Sequence, residues 1–222
     1  MTEHTVKCNA LKLYYKKCGI GKPLILLHGN GEDGGIFEVA AERLGEKFTV
    51  YVPDSRGHGK SQKAPLSYIE MAEDMRQFIE ALNLERPAFY GFSDGGIIGL
   101  ILAYKTPDLL SKLVVSGVNL NPKALKRSFR FWVQIGHFFS RNKMLKLMLK
   151  EPNISFDELT RIQAKTLILA GEKDIVIKQH SEAVAAAIKG AELKILAGEN
   201  HFSYVFDNHT LFQLLTPFLL EE

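Results

Sequence analysis

Short apolar runs alternate with amphipathic stretches along most of the chain. Continuous apolar runs of this length are typical of strands buried on both faces. They predict strands at 24–27, 48–52, 87–90, 113–117, 166–170 and 193–196. Residues 5–18 alternate between apolar and polar positions and predict one or two antiparallel edge strands. Apolar residues at helical spacing predict helices at 36–44, 68–82, 96–104, 180–188 and 210–220.

The order of these elements predicts the fold class. Alternating strands and helices favour an α/β fold, with a mostly parallel central sheet of about eight strands flanked by helices. Residues 119–163 interrupt the alternation and are rich in large apolar side chains. We expect them to form a small helical cap, inserted into a core made of residues 1–118 and 164–222. Ligands of such sheets bind at the carboxyl ends of the strands, so the loops that follow strands are expected to carry the chemistry.

Composition adds few constraints. The chain has 222 residues, is 46% hydrophobic and 24% charged, and has a net charge of +3, as expected for one ordinary globular domain. Lysine-rich segments at 123–130 and 141–150 are interpreted as solvated helix faces, and no nucleic-acid partner is expected. No His, Cys and carboxylate cluster has metal-ligand spacing, so neither a metal nor an organic cofactor is expected.

Localisation and assembly are predicted from the same features. The first residues lack the apolar core of a secretory signal, and no stretch reaches the roughly 18 apolar residues of a membrane span. We therefore expect a cytoplasmic protein with no membrane partner, in which Cys8 and Cys18 are free thiols, although a disulfide between them stays open. Exposed apolar residues in the cap leave both a monomer and a homodimer open.

The segment Gly91-Phe92-Ser93-Asp94-Gly95 stands between a predicted strand and a predicted helix. A Gly-x-Ser-x-Gly sequence in this position is the pattern of a nucleophile elbow, in which a sharp turn exposes the serine hydroxyl above the sheet. The flanking glycines are expected because a Cβ there would strike the neighbouring strand or helix. Ser93 is therefore the predicted nucleophile.

Asp174 and His201 each follow a later predicted strand, so both should reach the same edge of the sheet as Ser93. A serine hydroxyl needs a base, an imidazole is a suitable one, and a carboxylate fixes the imidazole tautomer. We predict a catalytic triad of Ser93, Asp174 and His201. The alternatives are that Asp174 caps a helix, or that His201 is a surface histidine and His209 takes its place.

These motifs resemble those of the α/β-hydrolase superfamily from about residue 20 to the end of the chain. The resemblance rests on His28-Gly29-Asn30-Gly31, on residues 54–61, on the elbow, on Gly171-Glu172-Lys173-Asp174 and on Asn200-His201-Phe202. It implies a serine hydrolase that cleaves small carboxylic esters, or related acyl bonds, through an acyl-enzyme on Ser93. It also implies an oxyanion hole formed by the backbone N–H groups of Asn30 and Asp94.

The resemblance further suggests where substrate binds. The string Gly-Phe-Ser-Asp-Gly-Gly is similar to that of valacyclovir-hydrolase-like enzymes, which act on amino-acid esters. This similarity implies that the Asp94 carboxylate receives a substrate ammonium group, whereas a helix-capping role is the alternative. A small-molecule substrate pocket is expected among the following residues, although plain packing is the alternative for the cap residues: Gly29, Asp94, Trp132, Ile135, Phe138 and Phe202.

Two other functions use the same residues. A cofactor-free haloperoxidase-like or acyltransferase activity would employ the triad with a different acceptor. A non-catalytic small-molecule receptor would use the fold and the pocket without turnover, since fold alone does not fix function.

Overall fold

The computed structural model describes residues 1–8 and 10–221. The strands of this part of the chain form one eight-stranded sheet. They are β1 (Thr2–Cys8), β2 (Leu11–Cys18), β3 (Lys22–Leu27), β4 (Phe48–Pro53), β5 (Ala88–Phe92), β6 (Lys112–Ser116), β7 (Lys165–Gly171) and β8 (Glu192–Leu196).

The connections between strands carry the helices. These are α1 (Glu38–Leu44), α2 (Tyr68–Ala81), α3 (Asp94–Lys105), α4 (Arg127–Ser140), α5 (Lys143–Lys150), α6 (Phe156–Leu159), α7 (Lys178–Ala187), α8 (Ser203–Phe206) and α9 (Asn208–Leu220). Short 3₁₀ turns lie at Gly34–Phe37 and Pro122–Ala124. None of the helices in the described ranges is long and apolar enough to cross a membrane.

The strand order is β1-β2-β4-β3-β5-β6-β7-β8. β1 pairs with β2, and β2 with β4, in antiparallel fashion, whereas all pairs from β4 to β8 are parallel. The predicted α/β fold with a mostly parallel sheet is therefore confirmed. The carboxyl ends of β3, β5, β6, β7 and β8 consequently meet at one edge of the sheet.

Each face of the sheet is covered by its own apolar core. One core joins the sheet to α2, α3 and α7, with Phe78, Ile101 and Val184 fully buried in it. The other joins the opposite face to α1, α8 and α9, through residues such as Leu44, Tyr204 and Leu215. This explains why the central strands are apolar without alternation, since both of their faces are buried.

Some element boundaries differ from the sequence prediction. β5 continues through Phe92, and α3 begins at Asp94, so Ser93 alone forms the turn between them. The predicted helix over 36–44 is a 3₁₀ turn followed by α1, and the last helix is preceded by the separate short helix α8. Residues 119–163 contain α4, α5 and α6, but their division from the core as a separate cap remains a prediction.

Candidate active site

Ser93 occupies a sharp turn between β5 and α3. Its backbone has φ of 51° and ψ of −113°, a region that residues other than glycine rarely adopt. The turn is held because the Ser93 N–H donates to the Ser116 carbonyl at 2.8 Å, and the Ser93 carbonyl accepts from the Ile97 N–H at 3.0 Å. The serine is thereby fixed at the carboxyl end of β5, at the start of α3, and the residue is half-buried.

The flanking glycines are required by close backbone contacts. A Cβ on Gly91 would lie 2.2 Å from the Gly95 carbonyl oxygen, and a Cβ on Gly95 would lie 2.2 Å from the Leu27 carbonyl oxygen. Both distances are far below van der Waals contact, and both neighbours are backbone atoms that cannot rotate away. The expected reason for these two glycines is therefore present in the structure.

The structure brings Asp174 and His201 to Ser93. His201 Nε2 lies 3.1 Å from Ser93 Oγ, and His201 Nδ1 lies 2.7 Å from Asp174 Oδ1. Both His201 and Asp174 are 2% exposed. His209, the alternative to His201, lies instead in the first turn of α9 and contacts Arg43 and Gln213. The geometry thus joins a hydroxyl, an imidazole and a carboxylate in one hydrogen-bonded chain.

Asp174 is held as a carboxylate although it is buried. Burial alone would raise the pKa of the Asp174 carboxyl, but the hydrogen bond from His201 and those from the backbone N–H groups of Val176 and Gly171 outweigh it. The net result is a pKa below the usual range of an aspartate. A carboxylate that stays charged next to Nδ1 directs the other ring nitrogen, Nε2, to act as acceptor toward Ser93.

Gly117 makes room for the imidazole, a role that the sequence analysis did not predict. It follows β6 with φ of +61°, and a Cβ there would lie 2.5 Å from His201 Cε1 and 2.7 Å from Nδ1. Any larger residue would therefore displace the ring from its position between Asp174 and Ser93. A glycine after a buried strand was the only available signal for this role.

The two predicted oxyanion donors belong to the elbow and to the loop that packs against it. Asn30 follows β3, and Asp94 opens α3 directly after Ser93. Among the described residues, neither the Asn30 N–H nor the Asp94 N–H donates to a protein acceptor. Two unpaired N–H groups near a helix N-terminus favour a developing negative charge. Their assignment as an oxyanion hole remains a proposal.

The Asp94 carboxylate is already occupied by protein donors. Its Oδ1 accepts from the Tyr68 hydroxyl at 2.7 Å, and its Oδ2 accepts from Asn30 Nδ2 at 2.8 Å. The same Asn30 amide lies 3.4 Å from the Met144 carbonyl oxygen of α5. Asp94, which is 5% exposed, therefore ties the elbow to the loop after β3, to α2 and to α5. Tyr68, which sequence reasoning recognised only as a helix residue, is part of this network.

His28 stabilises the loop that follows β3. Its Nε2 accepts from the Ser55 N–H at 3.0 Å, and its Nδ1 lies 2.8 Å from the Gly29 carbonyl oxygen. Burial lowers the pKa of His28 to about 4, so the ring is neutral at physiological pH, with the proton on Nδ1. Ser55 itself belongs to the buried turn that begins with Asp54. This geometry supports a bracing role for His28, distinct from the chemistry at Ser93.

Glu32 is a site residue that sequence reasoning missed. Its Oε2 accepts from the Gly29 N–H at 2.9 Å. A Cβ on Gly29 would lie 2.9 Å from that oxygen and 3.2 Å from Ser93 Cβ, so the carboxyl stands close to the nucleophile. Burial raises the pKa of Glu32 to about 7, against the effect of the Gly29 hydrogen bond. The sequence shows a glutamate in the glycine-rich loop after β3, but it does not show where the side chain points.

The pKa of Glu32 leads to a prediction for stability. The folded protein keeps a proton on Glu32 between pH 4.5, the ordinary value, and about pH 7, whereas the unfolded chain releases it. Stability therefore falls as pH rises through this window, because the folded state binds more protons. Glu32→Gln keeps a hydrogen-bond acceptor for the Gly29 N–H. It removes the titrating group, and with it the decrease in stability as pH rises. We expect the Tm of the wild type to decrease, relative to that of the variant, between about pH 5 and about pH 8.

The measurement is thermal unfolding of both proteins across that pH range. Glu46→Gln, which changes an exposed glutamate, is the matched control and should follow the wild-type profile. Parallel Tm profiles for the wild type and Glu32→Gln would contradict the predicted titration.

The cavity above Ser93 is very small. Its volume is about 10 Å³, which is about the room that one water molecule needs. It is lined by Tyr68, Ser93, Asp94, Gly117, Asn119, Leu125, Met148, Glu151, Ile175 and His201. The apolar part of this lining comes from Leu125, Met148 and Ile175.

The predicted pocket residues are not all brought together. Gly29 lies next to Ser93, and the Phe202 ring lies 4.8 Å from that of His201. Trp132 and Phe138 do not line the cavity and are 67% and 65% exposed. Ile135, on the same helix, is half-buried and does not line it either. A pocket function for these three cap residues stays a prediction.

Comparisons with known proteins agree with this geometry. A family model for the alpha/beta hydrolase fold matches residues 22–142, more than half of the chain. The Serine hydrolase BPHL of Homo sapiens is 28% identical, and the alignment covers 90% of this chain and 80% of that protein. The Soluble epoxide hydrolase of Corynebacterium sp. is 30% identical over 63% of this chain, and the match spans 50% of that protein's length.

Solved structures show the same fold over almost the whole chain. The esterase EaEST from Exiguobacterium antarcticum superimposes with a TM-score of 0.85 at 22% sequence identity, covering 98% of this chain and 99% of that one. This likeness concerns the fold, whereas the family model and the named hydrolases concern the sequence. Together with the family match, they show that the chain belongs to the α/β-hydrolase fold family and is an enzyme of that family.

Proposed function

We propose that this enzyme hydrolyses small carboxylic esters, or related acyl bonds, through an acyl-enzyme on Ser93. The observation that carries the proposal is the hydrogen-bonded chain from Asp174 through His201 to Ser93, with distances of 2.7 and 3.1 Å. The strained elbow aims the serine at the edge of the sheet where ligands of this fold bind. The names of relatives, which include a serine hydrolase and an esterase, agree with this reaction class.

In the first half of the reaction, Ser93 Oγ attacks the ester carbonyl carbon while its proton passes to His201 Nε2. As the carbonyl oxygen becomes negatively charged, it accepts hydrogen bonds from the Asn30 and Asp94 N–H groups. Each of these bonds stabilises the transition state by on the order of 3 kcal/mol. The C–O bond to the alcohol then breaks, and the imidazolium gives its proton to the leaving oxygen. Asp174 stabilises the imidazolium but keeps no proton.

In the second half, a water molecule replaces the alcohol. His201 Nε2 takes one of its protons, and the water oxygen attacks the acyl carbon of the ester on Ser93. The tetrahedral intermediate collapses with breakage of the bond to Ser93 Oγ, which recovers its proton from the imidazolium. The products are the carboxylic acid and the free enzyme, so no metal or organic cofactor enters the balance.

Substrate size follows from the lining of the cavity. With a volume of about 10 Å³, the space above Ser93 does not accommodate an acyl group unless side chains move. Met148 is the adaptable member of the lining, because its unbranched thioether chain has several accessible rotamers. We therefore propose that small acyl groups are preferred and that α5, which carries Met148, shifts when substrate enters.

A panel of p-nitrophenyl esters with increasing acyl length tests the proposal. We expect the highest kcat/KM for acetate to butyrate and a steep fall for longer chains, because the cavity is small. Covalent labelling by a fluorophosphonate, followed by peptide mapping, should place the label on Ser93. A folded protein that binds these esters without releasing nitrophenol would overturn the proposal and favour the receptor alternative.

The role of Asp94 leads to a separate prediction. Asp94→Ala leaves the Asn30 amide and the Tyr68 hydroxyl without their acceptor, so the loop that carries the Asn30 N–H loses its anchor. Removal of one complete oxyanion donor costs about 10²- to 10³-fold. We expect about a 10- to 100-fold loss of kcat/KM from this looser arrangement, and an equal loss on esters with and without an α-amino group.

The matched substrates are the p-nitrophenyl esters of alanine and of propionic acid, which differ only in the amino group. Tyr68→Phe, which removes one of the two donors to Asp94, should change both substrates in the same direction but by less. A loss confined to the alanine ester would instead show that the Asp94 carboxylate receives the substrate ammonium group.

A further inference from the structure

Helix α4 presents an apolar face to solvent. Phe131, Trp132, Phe138 and Phe139 are 54%, 67%, 65% and 79% exposed. In a helix of about 3.6 residues per turn, these positions and Ile135 lie within an arc of about 120°. We call these five residues the α4 aromatic face. They lie on the side of the helix opposite the buried Val133. The four aromatic side chains are exposed, and Ile135 is half-buried among them.

The size and chemistry of this face are unusual for a protein surface. Aromatic pairs extend along it, with ring centroids 5.7 Å apart for Phe131 and Trp132 and 5.2 Å apart for Phe138 and Phe139. Single exposed apolar residues are common, whereas contiguous apolar patches mark surfaces that meet a partner or a membrane. The α4 aromatic face is therefore a candidate docking surface.

The segment that carries the face has charges of one sign. Residues 119–150 contain eight Lys and Arg and no Asp or Glu, whereas the rest of the chain has 20 Lys and Arg and 25 Asp and Glu. The segment thus carries +8, and the remainder carries −5. The Arg141 guanidinium lies 5.8 Å from the centre of the Phe138 ring, so positive charge borders the apolar surface directly.

The next helix adds three more lysines. α5 packs against α4, since a Cβ on Gly136 would contact the Leu145 side chain. Its three lysines, Lys143, Lys146 and Lys150, line a groove of about 490 Å³ together with Lys63 from the segment before α2 and with one carboxylate, that of Glu151. Lysines at an apolar surface keep their ammonium groups in water while their stems cover the apolar residues.

We infer that the α4 aromatic face docks on an anionic lipid surface. Aromatic rings insert at the boundary between headgroups and acyl chains, and the flanking Lys and Arg contact the anionic headgroups. A second copy of the chain fits less well, because a symmetric contact would bring two segments of +8 together. This inference goes beyond the proposed ester hydrolysis, and it departs from the sequence-based expectation of no membrane partner.

Trp132 is the only tryptophan of the chain, so its fluorescence reports on the face directly. The wild-type protein is mixed with vesicles of phosphatidylcholine alone, or of phosphatidylcholine with phosphatidylglycerol. We expect a blue shift of the emission and sedimentation with the anionic vesicles only, both weakened by added salt. Absence of binding to either vesicle, or equal binding to both, would overturn the inference.

Two pairs of variants assign the binding to this surface. Phe131→Ser with Phe139→Ser removes apolar groups, and Lys143→Glu with Lys146→Glu reverses charge. Each pair should lower binding to the anionic vesicles by about tenfold or more. Their matched controls lie elsewhere on the surface: Ile20→Ser with Val39→Ser, and Lys47→Glu with Lys189→Glu, all at exposed positions. The controls should bind as the wild type does.

Turnover of p-nitrophenyl acetate and the Tm verify that all variants are folded. Analytical ultracentrifugation tests for a concentration-dependent dimer. If the first variant pair abolishes such a dimer and the wild type does not bind anionic vesicles, the face contacts a second copy of the chain. The inference then fails. Docking and ester hydrolysis fail separately, because vesicle binding is measured without substrate.

Discussion

Replacing Ser93 by alanine is expected to lower kcat for p-nitrophenyl acetate by about 10⁴- to 10⁶-fold, the range found when a serine nucleophile is removed from a triad. This corresponds to about 5–8 kcal/mol of transition-state stabilisation. The loss is large because, in the proposed mechanism, Ser93 Oγ is the atom that forms the covalent bond to the acyl group. His201 and the N–H groups proposed to bind the oxyanion remain, so a residual acceleration over water is expected.

Stability should hardly change in this variant. Alanine retains the Cβ and the backbone of the turn, and the strain at φ of 51° is the same for both residues. Ser111→Ala is the matched control, since Ser111 is exposed and precedes β6 at the opposite edge of the sheet. The control should keep full activity. Turnover by Ser93→Ala within tenfold of the wild type would exclude Ser93 as the nucleophile.

The sequence was most informative about the candidate site, because its chemically suitable residues directly follow predicted strands. Ser93, Asp174 and His201 follow β5, β7 and β8, and residues after parallel strands converge in space whatever their separation along the chain. This is why three residues up to 108 positions apart were predicted as one group. The sheet was predicted for a related reason, since strands buried on both faces leave uninterrupted apolar runs.

The network around Asp94 was not predictable in the same way. Its partners Asn30 and Tyr68 lie 64 and 26 positions away, and neither position belongs to a periodic pattern that implies the contact. Glu32 is similar, because its unusual pKa arises from burial behind Gly29, and burial of a polar loop residue leaves no mark in local sequence. Such roles depend on the direction of a side chain, which periodicity does not specify.

The cap illustrates a different reason for an incomplete prediction. Aromatic residues at helical spacing predict an apolar helix face, and α4 has one. Periodicity does not specify whether another element covers that face, and in this structure Phe131 and Phe139 stay open to solvent. Apolar spacing alone therefore does not distinguish a core-facing helix from a surface that docks on something else.

The largest expected effect on stability comes from Gly95→Ala. The added Cβ would lie 2.2 Å from the Leu27 carbonyl oxygen and 2.7 Å from that of His28, so α3 must move away from β3. Overpacking in a core typically costs about 1–3 kcal/mol. A contact with fixed backbone on the central strand should reach or exceed the upper value. For a chain of this size, we expect the Tm to fall by about 6–12 °C or more.

Gly136→Ala is the matched control, because Gly136 also lies inside a helix. Its Cβ would meet only the flexible end of Leu145, at 3.1 Å, and alanine is a better helix former than glycine by about 1 kcal/mol. Its Tm should therefore be unchanged or slightly higher. Thermal unfolding and the yield of soluble protein compare the two variants, and a Tm of Gly95→Ala within about 2 °C of the wild type would contradict the prediction. The same contact determines how far the elbow lies from β3. If α3 moves, Ser93 and the Asp94 N–H move with it. Any folded Gly95→Ala protein should therefore also lose activity.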